Sequence, residues 1–290
     1  MTEDAPHLPA DARAAFLGLG AMGSRMAARL VAAGADLAVW SRSSPPVAGA
    51  RAAASPRAAA EGAGFVFAMA RDDAASEAIW LDPETGAFAG MAKGALAIEC
   101  ATVSPGHARR LHEAAAARGL RMLDAPVSGS RPQAEAGGLL FLVGGAAADL
   151  AEAAPLFQAM GRGAEHIGGP GAGAVAKLVV NAMLGVQIAA VAELLALAKG
   201  AGVDPAAALR GFAATHVASG AAKASGEAMV AGRYPLAFPI DLVLKDLGLV
   251  GDASAEGAAV VEAAASVFRR AAAAGLGGEN STAVAKLYGF

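Results

Sequence analysis

One local pattern constrains this chain more than any other. Phe16-Leu17-Gly18-Leu19-Gly20-Ala21-Met22-Gly23 sets G-x-G-x-x-G where a short apolar run gives way to a helical stretch. In that setting Gly18 permits a tight turn, Gly20 lets backbone amides approach a pyrophosphate, and Gly23 permits close helix–strand contact, while the helix N-terminus supplies partial positive charge. The whole turn, with Leu19, Ala21 and Met22, is therefore predicted to bind a dinucleotide. The competing reading is a glycine-rich turn without ligand, which 37 glycines make common in this chain. The strand before and the helix after favour the ligand.

The rest of the N-terminal half fits that turn. Strand candidates at Phe16–Gly18, Leu37–Trp40, Phe65–Ala68, Leu96–Glu99, Arg121–Leu123, Leu139–Val143 and His166–Ile167 alternate with helices such as Met22–Ala33, Ser104–Ala117 and Ala147–Met160. Gly34 closes the first helix in a left-handed conformation. This alternation predicts βαβ units, that is, an α/β Rossmann domain with a parallel-type sheet over residues 1–168. At Gly168-Gly169-Pro170-Gly171 the pattern stops. A long apolar helix follows from Ala172 to about Lys199, and Asp204-Pro205 opens another with an Asp cap and Pro at its first position. Residues 169–290 are thus predicted to form an all-α domain for substrate and oligomerisation, joined through the long helix.

Composition narrows the classes of partner. The 290 residues are 56% hydrophobic and 17% charged, with 23 basic and 26 acidic side chains and a net charge of −3. That balance excludes a disordered chain and offers no general basic surface for nucleic acid or anionic lipid. Cys100 is the single cysteine, so neither an intrachain disulfide nor a cysteine-based zinc site with His7, His107, His112, His166 or His216 is expected, and no metal is assigned. Met1–Ala10 carries Glu3, Asp4 and Pro6 rather than a basic then apolar leader, which predicts a cytoplasmic protein. The mean hydropathy of +0.46 raises a membrane span, but Leu178–Ala198 contains Asn181, Gln187 and Glu193, as a buried helix does. The apolar all-α half predicts a homodimer or homotetramer.

At the end of the second strand an acidic residue selects NAD and an arginine accommodates the extra phosphate of NADP. Ser41-Arg42-Ser43 stands there, with Asp36 read as lying before the strand, so NADP is predicted over NAD. Met69 and Ala70, directly after the third strand, are also assigned to the cofactor. Lys177 and Asn181 lie four residues apart on an otherwise apolar helix. Either Lys177 reaches a pocket, where desolvation tunes an ammonium toward proton transfer, or it extends to solvent from the helix start.

Five segments together resemble the β-hydroxyacid dehydrogenases: the Phe16–Gly23 turn, Thr102-Val103-Ser104-Pro105, Asp124-Ala125-Pro126-Val127-Ser128-Gly129, the Gly171–Asn181 stretch and Lys245-Asp246-Leu247. The resemblance implies a Rossmann domain, a helical C-terminal domain and an active site in the cleft between them. It implies Lys177 as general acid/base, Asn181 orienting substrate, and Ser128, Gly129 and Ser130 holding the substrate carboxylate, with Val127, Thr102 and Lys245 on the cofactor. The implied activity is hydride transfer between a nicotinamide cofactor and a small carboxylate-bearing β-hydroxyacid or its semialdehyde or keto acid. An imine reductase-like NADPH enzyme and a non-catalytic NADP-binding protein are the alternatives. The chain departs from the family pattern at Ser130, where a second glycine is commoner, and at the following Arg131, which either adds a cation for a second substrate carboxylate or faces solvent.

Overall fold

The computed structural model describes residues 13–290. His7 and the Met1–Ala10 stretch used in the leader argument lie outside the described residues. The chain divides into two compact units, one through Lys177 and one from Leu178.

The first unit runs β1 (Arg13–Leu17), α1 (Gly23–Ala32), β2 (Asp36–Trp40), β3 (Arg51–Ala52), α2 (Pro56–Ala60), β4 (Phe65–Ala68), α3 (Asp73–Leu81), β5 (Leu96–Glu99), α4 (Pro105–Ala116), β6 (Arg121–Asp124), β7 (Val127–Ser128), α5 (Arg131–Ala136), β8 (Leu139–Gly145), α6 (Ala147–Met160) and β9 (Gly161–Gly168). The strands form one sheet in the order β3-β2-β1-β4-β5-β6-β8-β7, with β9 beside β8. From β3 to β6 every pairing is parallel. Successive strand residues point to opposite faces. Phe16, Phe67, Met26 and Phe157 therefore pack on one side of the sheet, and Leu17, Val66, Trp80 and Leu111 on the other. Burial on both faces is why these strands read as continuous apolar runs.

Beyond β6 the parallel-type sheet becomes mixed, because β8 runs antiparallel to both β6 and β7. The connection after β7 holds only the six-residue α5, and a crossover to a parallel neighbour needs about a dozen residues or more. The chain turns back instead. The expected two-residue strand at His166 is the longer β9, which pairs with β8 despite Gly161 and Gly163; tertiary pairing overrides their weak strand preference. Asp36 is the first residue of β2 rather than a residue before it, and it pairs with Arg13 and Arg51. Gly34 has φ +92° after α1, in the left-handed region that only glycine enters at low cost.

α7 (Ala172–Gly200) begins in the first unit and ends in the second. It is long and apolar enough to cross a bilayer by length and composition, and half of its most apolar window is buried inside the protein. The second unit continues with α8 (Pro205–Ala213), α9 (Gly220–Val230), α10 (Ile240–Ala253) and α11 (Ala259–Ala271), followed by a 3-10 segment over Ser281–Tyr288. Asp204 caps α8 through the Ala206 and Ala207 N–H groups, as its position before Pro205 predicts. Ile188, Leu195, Leu209, Met229, Val243 and Phe268 share its core. Small residues let the helices approach: a Cβ on Gly185 would lie 3.1 Å from Leu247.

Candidate functional site

The parallel strands finish in register. Trp40 of β2 stands opposite Leu17 of β1, Leu17 opposite Ala68 of β4, Ala68 opposite Glu99 of β5, and Glu99 opposite Asp124 of β6. The segments that follow these five residues therefore leave the sheet along one edge: the Gly18–Gly23 turn, Ser41–Ser43, Met69-Ala70, Cys100–Thr102 and the loop to Ser128. Residues scattered over a hundred positions of sequence are aligned by backbone hydrogen bonds alone. In a parallel α/β sheet this carboxyl edge is where ligands bind, at the point where the strand order reverses, here between β1 and β4.

The glycine turn has the geometry a pyrophosphate requires. Gly18 takes φ +92°, and a Cβ there would come within 2.4 Å of the Met69 carbonyl oxygen. A Cβ on Gly23 would meet the Gly18 carbonyl oxygen at 2.0 Å, whereas one on Gly20 would meet no protein atom within 4 Å. So Gly18 and Gly23 are demanded by close packing, and the exposed Gly20 leaves its backbone approachable. α1 has neither a side-chain cap nor an acidic residue in its first turn, which leaves its N–H groups and the positive end of its dipole for an anion. Arg42 is exposed just beyond β2, and the Ser41 hydroxyl accepts the Ser44 N–H at 3.3 Å. These residues fit a nicotinamide dinucleotide.

Two buried carboxylates, Glu99 and Asp124, and the half-buried Asp73 hold the edge in place. Glu99 accepts hydrogen bonds from Trp80 Nε1 and the Ala101 N–H, both at 2.8 Å, and from the Ser76 hydroxyl. Burial pushes its carboxyl up, and these bonds oppose the shift. Asp73 accepts from the Ser104 N–H at 2.8 Å and its hydroxyl at 2.5 Å, so Thr102 sits in a segment clamped at both ends. Asp124 accepts the Gly171 and Ala174 N–H groups at the start of α7.

Ser128 ends β7, and Gly129 follows with φ +128°. Ser130 is the N-cap of α5, where the Gln133 side chain accepts the Ser130 N–H at 2.9 Å. That capping box explains the serine in place of a second glycine. Arg131 is the first residue of α5, with its Nε buried and without a hydrogen-bond partner. Lys177 is buried at 9% exposure.

In the second unit Asn181 Nδ2 donates to Asp246 Oδ2 at 2.6 Å. Lys245 Nζ lies 2.9 Å from Oδ1 of the same carboxylate, an ion pair at an oxygen that accepts no directed hydrogen bond. Asp246 thus joins two residues that the sequence reading places in the site separately. Nothing local marks that role, because Asn181 and Asp246 are 65 positions apart.

A Rossmann unit with a glycine turn open to a pyrophosphate, followed in the chain by an all-α unit, defines the class as a dinucleotide-binding protein. Comparisons make it specific. Residues 13–169 match the NAD-binding domain of 6-phosphogluconate dehydrogenase, and residues 171–288 match the NAD-binding domain of NADP-dependent 3-hydroxyisobutyrate dehydrogenase. The chain belongs to the β-hydroxyacid dehydrogenase family. It is 46% identical over 195 residues to an NAD-dependent L-serine dehydrogenase of Pseudomonas aeruginosa, a stretch covering 66% of this chain and 65% of that one. It is 32% identical over 282 residues to the chloroplastic glyoxylate/succinic semialdehyde reductase 2 of Arabidopsis thaliana, covering 93% of this chain and 77% of the relative. Among solved structures, Mycobacterium tuberculosis 3-hydroxyisobutyrate dehydrogenase with L-serine superposes with a TM-score of 0.86 at 29% identity, over 96% of this chain and 99% of that one. An imine reductase from Pseudomonas sp., at 23% identity and a TM-score of 0.62, shares the fold.

Proposed function

We propose that the protein is an NAD(P)-dependent dehydrogenase that interconverts a small carboxylate-bearing hydroxyacid and its semialdehyde or keto acid, with Lys177 moving the proton. The observation that carries this reading is a buried lysine in the first turns of an apolar helix whose start is tied to the strand leading into Ser128 and Gly129. The nicotinamide, when bound, supplies or takes the hydride. In reduction the Lys177 ammonium donates its proton to the substrate oxygen as negative charge develops there; in oxidation the neutral amine takes it back. Ser128 and the Gly129 amide hold the substrate carboxylate, with Asn181, itself oriented by Asp246, as the further donor. Gly18 to Gly23, Met69, Ala70, Thr102, Val127 and Lys245 serve the cofactor. Arg42 supports NADP over NAD, since a guanidinium pairs with a 2′-phosphate through charge-assisted bonds.

The relatives act, by their names, on serine and on semialdehydes, which supports small polar acids as the substrate class. The same reading makes the protein a cytoplasmic homo-oligomer without membrane or nucleic-acid partners. Val175, Val179, Met183, Leu194 and Leu197 leave apolar side chains exposed along α7, which supports a face covered by a second copy.

The test is oxidation of NADPH and of NADH against glyoxylate, succinic semialdehyde, methylmalonate and tartronate semialdehydes and a cyclic imine. Lys177→Ala is expected to lose about a hundredfold or more in kcat while still binding nucleotide. Arg42→Ala is expected to weaken NADPH about tenfold and leave NADH unchanged. Full turnover by Lys177→Ala, or turnover of the imine alone, would sink the proposal.

A further inference from the structure

We infer that Asp124 is a positioning residue for Lys177, acting through the first turn of α7; the inference rests on the proton-transfer role proposed above. Asp124 is the last residue of β6 and is fully buried. Its Oδ1 accepts the Gly171 N–H and its Oδ2 the Ala174 N–H, both at 2.9 Å. The opening N–H groups of a helix have no partner within it, and α7 takes these bonds from another element altogether. The negative charge also lies at the positive end of a 29-residue helix.

Packing leaves this junction no slack. A Cβ on Gly173 would lie 2.3 Å from the Leu142 carbonyl oxygen and 2.4 Å from that of Asp124. One on Gly144 would lie 2.5 Å from Asp124 Oδ1 and 2.7 Å from the Gly173 nitrogen. Glycines on β8 and α7 therefore press the helix start directly onto the backbone of β6 and β8. His112 Nε2, from α4, lies 2.9 Å from Asp124 Oδ1; because an ionised carboxylate only accepts, this nitrogen carries the hydrogen, and the bond orients the carboxylate.

Lys177 follows Ala174 by three residues, about 4.5 Å along the helix axis. Any rotation or slip of the first turn moves its ammonium by a comparable amount. Ser128 follows Asp124 by four residues on the other side. One carboxylate thus ties the start of the proton-donating helix to the strand that leads into the carboxylate-holding loop, and sets their separation. Proton transfer is sensitive to such offsets, whereas the Gly18–Gly23 turn is built by β1 and α1 without using Asp124.

The test is Asp124→Asn, in which an amide of the same shape cannot accept both N–H groups. We expect kcat to fall about tenfold to a hundredfold, with the nucleotide dissociation constant, read by NADPH fluorescence, within about threefold of the parent. Phe157→Leu, a core change in the same unit, serves as the stability control and should keep kcat within about twofold at a similar loss of Tm. A parental kcat in Asp124→Asn beside an inactive Lys177→Ala would overturn the inference and leave the lysine assignment standing. Equal losses of kcat and nucleotide affinity would also overturn it, as a general structural role. An active Lys177→Ala would remove the premise, and that variant alone decides it.

Discussion

In the α/β unit, carboxylates finish neighbouring strands: Glu99 at the end of β5 and Asp124 at the end of β6, each buried and each accepting N–H groups from the segments beyond. In the all-α unit, Asp246 lies inside α10 and accepts from a side chain, Asn181, while close approach comes from small residues such as Gly185 and Gly226. The difference follows from where each kind of element leaves its backbone groups. A helix satisfies its own interior, so its anchors join side chains; a strand hands over to a loop whose amides need a partner. The first unit can therefore hold a loop at a stated position, and the second chiefly presents faces.

The largest test of this contrast is Gly23→Ala, which puts a methyl group 2.0 Å from the Gly18 carbonyl oxygen. NADPH binding is expected to be lost, with a drop of about 1–3 kcal/mol in unfolding free energy; fluorescence titration and urea melts check both. Parental affinity would mean the turn is looser than its backbone implies. In the all-α unit, Asp246→Ala removes the acceptor of a buried Asn181 and should cost about 1–3 kcal/mol in the same melts, while the exposed Asp252→Ala should stay within about 0.5 kcal/mol. Equal effects would erase the distinction between buried anchor and solvated charge.

Changing the exposed face has less effect on folding. Leu194 and Leu197 are 61% and 67% exposed, and replacing both by Glu is expected to lower the mass measured by light scattering to that of a single chain without altering nucleotide affinity. A parental protein that already scatters as a single 28.3 kDa chain would remove the oligomer proposal. The smallest effect is a pH response in the first unit. Burial holds the His107 imidazole below its ordinary value of 6.5. Between the two values the unfolded chain binds a proton that the folded chain does not, so stability rises with pH across that window and is lost on acidification. Glu99, pushed up by burial from 4.5, works the other way, because there the folded chain holds the extra proton. His107→Asn should therefore show a smaller fall in Tm than the parent between about pH 7 and pH 5.5; an identical fall would place the response elsewhere.

Much of this was legible from local chemistry. The Gly18–Gly23 turn needs only its own spacing, and Asp204-Pro205 announces α8 by an acceptor placed before a residue with no N–H to offer. Asp72 caps α3, and Ser130 and Gln133 cap α5, with chemistry of the same local kind. Both helices are short, so an apolar period has few turns in which to show itself. The antiparallel β8 was not legible, since its apolar run suits either direction.

By itself the sequence determined most of the longer elements, the nucleotide turn and the family to which the chain belongs, because each is set by neighbours in sequence: periodicity, caps, glycine spacing. Tertiary structure decided what holds the site. The row from Trp40 through Leu17, Ala68 and Glu99 to Asp124, the capping of α7 by β6, and the pairing of Asn181 with Asp246 all join residues far apart in sequence. A buried carboxylate takes whichever N–H groups the fold brings within about 3 Å, and that choice has no counterpart in local spacing.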